Sequence, residues 1–267
     1  MTWIDSLFYG VIQGITEFLP VSSSGHLALL PHYLKINDPG VAFDLAMHVG
    51  TALAVFVYFF KDIKDIIYSA FFINDLQKKE RGRNWIVNIG ISTFVTFVLA
   101  FLLKDFASDF GRSAFMISLN LVLFGALMWF FDHRGVMEET DHMTSSIDLK
   151  RSILIGFFQG LAVFPGVSRS GSTLTISRFL GMSRMESTKF SFLLSLPVIF
   201  AGFVYKLPEV LNNGANFAVT ELAIGLILSF IVGLATIHYF LKFIASTGLW
   251  VFSIYRFILA IVTLLLF

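Results

Sequence analysis

The chain has 267 residues, of which 56% are hydrophobic and only 14% charged, and its mean hydropathy is +0.79. Soluble domains carry about 25% charged residues, so the composition excludes an ordinary water-soluble globule and implies an integral membrane protein. The net charge of +1 gives no basis for nucleic-acid binding, and the absence of cysteine excludes disulfides and thiolate chemistry.

The first apolar piece, about 3–19, does not read as a signal peptide, because it lacks a basic start and is interrupted by Asp5 and Glu17. With 23–34 it flanks a polar turn, and neither piece is long enough to cross a bilayer. Three apolar segments long enough to span follow: 41–60, 84–103 and 113–131. A polar linker from Asp132 to Asp148, with Glu138, Glu139, Asp141 and His142, separates them from a second set. That set repeats the order: short pieces at 151–165 and 171–180, then spans at 187–205, 219–240 and 249–267.

The two short pairs are copies. Gly10, Gln13, Gly14, Phe18, Val21, Ser22, Ser24 and Gly25 each meet an identical residue 146 positions later. At an offset of 147 the likeness continues through Phe43/Phe190, Ala54/Ala201, Phe56/Phe203, Val57/Val204 and Tyr58/Tyr205. Each pair reads as a re-entrant hairpin, whose irregular backbone is tolerated at membrane depth only where protein or water covers it. One hairpin plus three spans per half turns the second half upside down. The expected fold is an all-α polytopic membrane protein with two inverted-topology repeats, each a re-entrant helical hairpin plus three transmembrane helices. It forms a single membrane domain over 1–267, with repeat 1 at 1–132, a linker at 133–147 and repeat 2 at 148–267.

Lys and Arg in the loops set the orientation. Lys61, Lys64, Lys78, Lys79, Arg81, Arg83, Arg134, Lys150, Arg151, Arg178, Arg184, Lys189 and Lys242 collect on one side; Lys35, Lys104, Arg112 and Lys206 on the other. The first side is expected to be cytoplasmic, with both termini and the mouth of the first hairpin facing outward. Arg169 and Arg256 fall at membrane depth.

The turns carry the chemistry. In the first, Pro20 ends the incoming helix, Ser22, Ser23 and Ser24 can cap the outgoing one, and Gly25 admits close approach to the backbone. His26 lies in the first turn of that helix, where an anion is favoured. Gln13 and Glu17, four apart, share a face of the incoming helix. In the second turn Arg169 stands among Ser168, Ser170 and Ser172, with Gly171 and Thr173 at the start of the outgoing helix. A guanidinium among hydroxyls and helix-start amides suits a phosphate. A charge at the bilayer centre costs about 2.5–3.5 kcal/mol, and a helix end returns only about 0.3–1 kcal/mol. Glu17 and Arg169 therefore need each other, or a bound ion, in a shared polar site. Asp44 and His48, also four apart, could line its entrance or form a local helix pair. Arg256, Glu221 and His238 read as structural or interfacial, Asn88 and Asn120 as interhelical hydrogen-bond partners, and Lys78 to Arg81 as a solvated loop.

At Gln13-Gly-Ile-Thr-Glu17, Pro20-Val-Ser-Ser-Ser-Gly-His26 and Pro165-Gly-Val-Ser-Arg-Ser-Gly-Ser-Thr173 the chain resembles the undecaprenyl-pyrophosphate phosphatase, or bacitracin-resistance, family. The resemblance implies hydrolysis of the terminal phosphate of undecaprenyl (C55) pyrophosphate at the outer face of the bacterial inner membrane. That reaction would recycle the carrier lipid of cell-wall synthesis and lower bacitracin sensitivity. It further implies that Glu17, His26, Arg169 and Ser23 are catalytic. Ser22, Ser24, Gly25, Ser168, Ser170, Gly171 and Thr173 are then expected around the phosphates. A divalent cation, Mg2+ or Ca2+, is expected on Glu17 with Gln13, although many members have Glu at position 13. The expected partners are the polyprenyl pyrophosphate and the membrane, with no nucleic acid and a homodimer as one option. Ser23 with His26 as its base, His26 itself, and water remain alternative nucleophiles. The rival reading of an inverted-repeat fold is a transporter or lipid flippase, which would move lipid without releasing phosphate.

Overall fold

The computed structural model describes residues 2–34, 40–111, 113–134, 146, 148–213 and 219–266. Lys35, Arg112 and most of the linker, with Glu138, Glu139, Asp141 and His142, lie outside them. Eleven α-helices are formed by the described residues: α1 Trp3–Thr16, α2 Ser23–Leu34, α3 Val41–Tyr58, α4 Phe60–Phe72, α5 Leu76–Phe110, α6 Ala114–Arg134, α7 Leu149–Gly160, α8 Arg169–Phe179, α9 Arg184–Asn213, α10 Val219–Thr247 and α11 Trp250–Leu266.

Alongside a buried apolar core that includes Phe18, Phe43 and Phe190, the chain buries many polar side chains and exposes many large apolar ones. Thr51, Ser92, Ser229 and Thr263 are buried, while Phe94, Phe101, Phe200 and Leu265 are exposed. Backbone groups in lipid must be satisfied internally, which favours helices, and buried hydroxyls between them serve as interhelical hydrogen-bond partners while apolar side chains face outward. Helices α5, α6, α10 and the Arg184–Pro208 part of α9 are each long and apolar enough to cross a membrane. The bent pair α3 and α4 makes a fifth candidate, and α11 is a shorter apolar helix. The chain is an all-α polytopic membrane protein.

A helix lies in each of the six expected spans and in each short piece, four or five of the former being long and apolar enough to cross, and two segments expected as loops are helical. The chain does not enter a loop after 41–60; it bends by 66° into α4, whose small Ala70 packs on Gly82 of α5. Lys78 to Arg81 are not a loop either but the first turns of α5, begun by Asp75, whose carboxylate accepts from the Gln77 and Lys78 amides. Hydropathy registers only the apolar part of such a helix, so its charged start reads as a loop.

Packing crosses between the halves. Helix α1 lies on α10, and α7 lies on α5. Both contacts depend on glycine: a Cβ at Gly10 would come 2.6 Å from the Gly225 carbonyl oxygen, and one at Gly156 would come 2.5 Å from that of Ser92. Polar bonds reinforce the second contact. Ser92 Oγ donates to the Ser152 carbonyl, Thr96 Oγ1 to that of Gly156, and Gln159 Nε2 to Thr96 Oγ1. Asn88 is an interhelical partner, accepting from the Asp148 amide and from Ser152 Oγ.

Arg178 is not a loop cation. It is 1% exposed, and its Nε donates to Asp132 Oδ1 at 3.0 Å. Arg184 donates to both oxygens of the same carboxylate, and the Leu249 amide adds a bond at 2.9 Å. Asp132 thus joins α6, α8, α9 and the start of α11.

Candidate active site

The two turns share one local design. Ser22 and Ser168 both have left-handed backbone, with φ of 73° and 72°. A non-glycine residue there costs about 1–3 kcal/mol. The same conformation lets each hydroxyl cap the helix that follows. Ser22 Oγ accepts from the Gly25 amide, and Ser168 Oγ from the Gly171 amide. Each also lies 3.4 Å from the hydroxyl two residues on, that of Ser24 or Ser170.

Capped alike, the turns also hold each other. The Gly166 amide donates to Ser22 Oγ at 3.2 Å, and Ser170 Oγ donates to the Leu19 carbonyl at 3.1 Å. Fully buried Arg256 is the staple beneath both. Its guanidinium donates to the carbonyls of Pro20, Gly166, Val167, Asn120 and Leu121. A Cβ at position 171 would sit 2.9 Å from Arg256 Nη1, so any side chain here would push the staple aside. Asn120 also donates its side-chain amide to the Pro165 carbonyl at 2.9 Å.

Glu17, 4% exposed, is the hub above that staple. Arg169 Nη2 donates to Oε1 at 2.8 Å. Gln13 Nε2 and Ser23 Oγ donate to Oε2 at 3.0 and 2.8 Å. Residues from four places in the sequence meet here, because His48 Nδ1 lies 2.9 Å from Gln13 Nε2 and 3.3 Å from Glu17 Oε2. His48 is therefore part of the site, whereas its spacing from Asp44 suggested either an entrance or a local pair. Of the Gln13, Glu17, Ser23 and Arg169 side chains, two buried atoms have no hydrogen-bond partner among the described residues, Arg169 Nη1 and Gln13 Oε1. A buried guanidinium donor without a partner is costly and marks where an acceptor belongs.

His26 stands one step from the hub. Its Nδ1 is 2.7 Å from the Ser22 carbonyl. A carbonyl can only accept, so Nδ1 carries the proton and Nε2 of the neutral ring is an acceptor. Tyr255 Oη lies 2.7 Å from that Nε2, and the two rings are 9° from parallel. Ser23 directs its hydroxyl to Glu17, not to His26. Thr173 and Ser172 are buried with hydroxyls turned inward: both donate to the Arg169 carbonyl, and Thr173 Oγ1 lies 2.6 Å from Ser191 Oγ. Ser24 is exposed.

Among the described residues no group of three or more His, Cys, Asp or Glu side chains could hold a metal ion. The donors present suit a different arrangement. The Glu17 carboxylate and the unpartnered Gln13 Oε1 are hard oxygen ligands, of the kind that hold Mg2+ or Ca2+ together with substrate phosphates.

Residues 6–262 match the family described as Bacitracin resistance protein BacA. The chain belongs to this family. Members of known name are similar along the whole length. A protein of Idiomarina loihiensis named undecaprenyl-diphosphatase is 37% identical, with 100% of both chains covered. Its namesake in Chromohalobacter salexigens is 38% identical over 99% of this chain and 98% of the relative. That of Aliivibrio salmonicida is 36% identical over 97% and 96%. Within the bacitracin-resistance family the resemblance seen at the two turns thus extends over nearly every helix.

Proposed function

We propose that this chain is an undecaprenyl-pyrophosphate phosphatase, releasing inorganic phosphate and leaving undecaprenyl phosphate for a further round of cell-wall synthesis. Bacitracin sequesters the pyrophosphate form, so this turnover lowers sensitivity to it. The observation that carries the reading is Arg169: one nitrogen is held by Glu17, and the other is buried and unpartnered beside two helix starts. With the names of the relatives, it favours a phosphate over any other anion.

In this reading the terminal phosphate lies between the turns. Arg169 supplies its fork, and the starts of α2 and α8, carrying Ser22, Ser24, Gly25, Ser168, Ser170 and Gly171, add dipole and donors. Thr173 supports the start of α8 from behind. Water attacks the terminal phosphorus, the bond to the bridging oxygen breaks, and its electron pair departs with undecaprenyl phosphate. The water proton passes to His26 Nε2, the acceptor nitrogen of the ring. Glu17 and Gln13 would hold a divalent cation, Mg2+ or Ca2+, whose charge would offset that of the phosphates when bound. A second route is favoured by the 2.8 Å bond from Ser23 to Glu17: Ser23 attacks the terminal phosphorus, Glu17 rather than His26 takes its proton, undecaprenyl phosphate leaves with the bridging oxygen's electron pair, and water then hydrolyses the phosphoserine to free enzyme and phosphate. The isoprenoid tail leaves sideways, and an apolar groove of about 570 Å³ lined by Ile15, Leu19, Ile231, Tyr239, Phe243 and Phe252 flanks the hairpin that carries Glu17.

The same proposal includes two inverted repeats, 1–132 and 148–267, in the bacterial inner membrane, with the site open to the periplasm. Its support is the duplicated serine caps and the exchanged packing of α1 on α10 and α7 on α5. Purified protein in detergent, given C55 polyprenyl pyrophosphate, is expected to release phosphate without any gradient and to lose that activity with a chelator. Lipid movement without phosphate release would favour a flippase and overturn the reading.

A further inference from the structure

We propose that Tyr255 is a gate on His26, its hydroxyl occupying the one ring nitrogen that can face the substrate. This deepens the reading of His26 as the proton-transfer group and rests on it. The Ser22 carbonyl, 2.7 Å away, commits Nδ1, so any proton transfer or attack by His26 has to use Nε2. That nitrogen already accepts from Tyr255 Oη at 2.7 Å. The contact is built from opposite ends of the chain. It is positioned on both sides: His26 by the left-handed turn at Ser22, and Tyr255 by its neighbour Arg256, which pins α11 to both turns.

Tyr255 and the neighbour that anchors its helix differ in exposure. Arg256 is fully buried, whereas the Tyr255 ring is 43% exposed. A tyrosine on a fixed helix can swing its ring aside by a rotamer change while the backbone stays in place. The diphosphate then competes with the hydroxyl for Nε2, and the apparent affinity is reduced by the fraction of time the gate is closed. Until that happens, Nε2 is occupied by the hydroxyl and the ring stays in the tautomer the reaction uses.

The test is Tyr255→Phe, which keeps the ring against the imidazole and removes only the hydroxyl. Carbethoxylation of His26 by diethyl pyrocarbonate, followed by peptide mass spectrometry, reads the gate without reference to turnover. In the variant it should run about three- to tenfold faster, the scale of one net hydrogen bond. Phosphate release should show a lower KM by a similar factor and a kcat within about twofold. An unchanged carbethoxylation rate would overturn the gate, as would a large fall in kcat, which would make the hydroxyl a donor in the reaction. A His26→Ala enzyme that still turns over normally would instead overturn the role of His26, whatever Tyr255→Phe does to its reactivity.

Discussion

Ser23 and Arg169 stand at the same position of two related turns, 146 residues apart, and grip opposite oxygens of one carboxylate. Ser23 Oγ donates to Glu17 Oε2 and Arg169 Nη2 to Oε1, each at 2.8 Å. In the proposed reading the two turns are copies of one another, with a hydroxyl at this position on one side and a cation on the other. The Glu17 position differs too: its counterpart in the second hairpin is Val163. In that reading the two turns build one working site, not two.

Arg169→Lys is expected to lose about 100-fold or more in kcat/KM for phosphate release, on the scale seen when one preorganised charge-stabilising donor is removed. A lysine can reach Glu17 or the phosphate as a point charge but cannot fork between them. Ser23→Ala separates the two nucleophile routes. A loss of less than about tenfold in steady-state phosphate release would leave water as the nucleophile, because the serine would then matter only as a donor to Glu17.

Gln13→Glu places a second carboxylate beside Glu17 and His48. It is expected to tighten the divalent cation and so raise the chelator concentration that halves activity, since added ligand charge raises affinity for hard cations. Metal-dependent protection of the protein against thermal unfolding should rise in parallel. A chelator midpoint unchanged from the parent would remove Gln13 from the proposed cation site.

Asp132→Ala should damage folding without touching the chemistry. It leaves Arg178, almost fully buried, without its carboxylate and removes the acceptor for the Leu249 amide. Breaking a buried ion pair from one side costs about 3–5 kcal/mol. Thermal unfolding in detergent should drop sharply, while the fraction that remains folded keeps its kcat.

Orientation can be read directly because the chain has no cysteine. A single cysteine at Lys78, in the exposed first turn of α5, should resist a membrane-impermeant maleimide in intact cells and react after lysis. Labelling in intact cells would turn the proposed topology over.

The membrane helices and the pairing of Glu17 with Arg169 were legible in the residues. Apolar runs of bilayer length announce helices, and a carboxylate and guanidinium at membrane depth need a shared partner. His48 was only half legible: spacing placed it on a helix with Asp44, but nothing along the chain says that α3 faces Gln13. Arg178 was counted among loop cations because the residues around it are polar. Its burial follows from Asp132, 46 residues earlier, which only tertiary packing brings near. The largest gap was Arg256. It reads as structural or interfacial, but its partners are all backbone carbonyls, and carbonyls leave no mark in the residue order.

The choice of carbonyls has an electrical consequence. Glu17 is taken by Arg169, and none of the partners of Arg256 is a carboxylate, so the polypeptide does not balance this second guanidinium at the contact it makes. An unbalanced fixed cation in a poorly polarisable medium is a standing attraction for negative charge. In the proposed reading the bilayer delivers that charge already tethered to a long hydrocarbon, so head and tail would arrive at the protein together, and the lipid would offset the uncompensated charge as well as react.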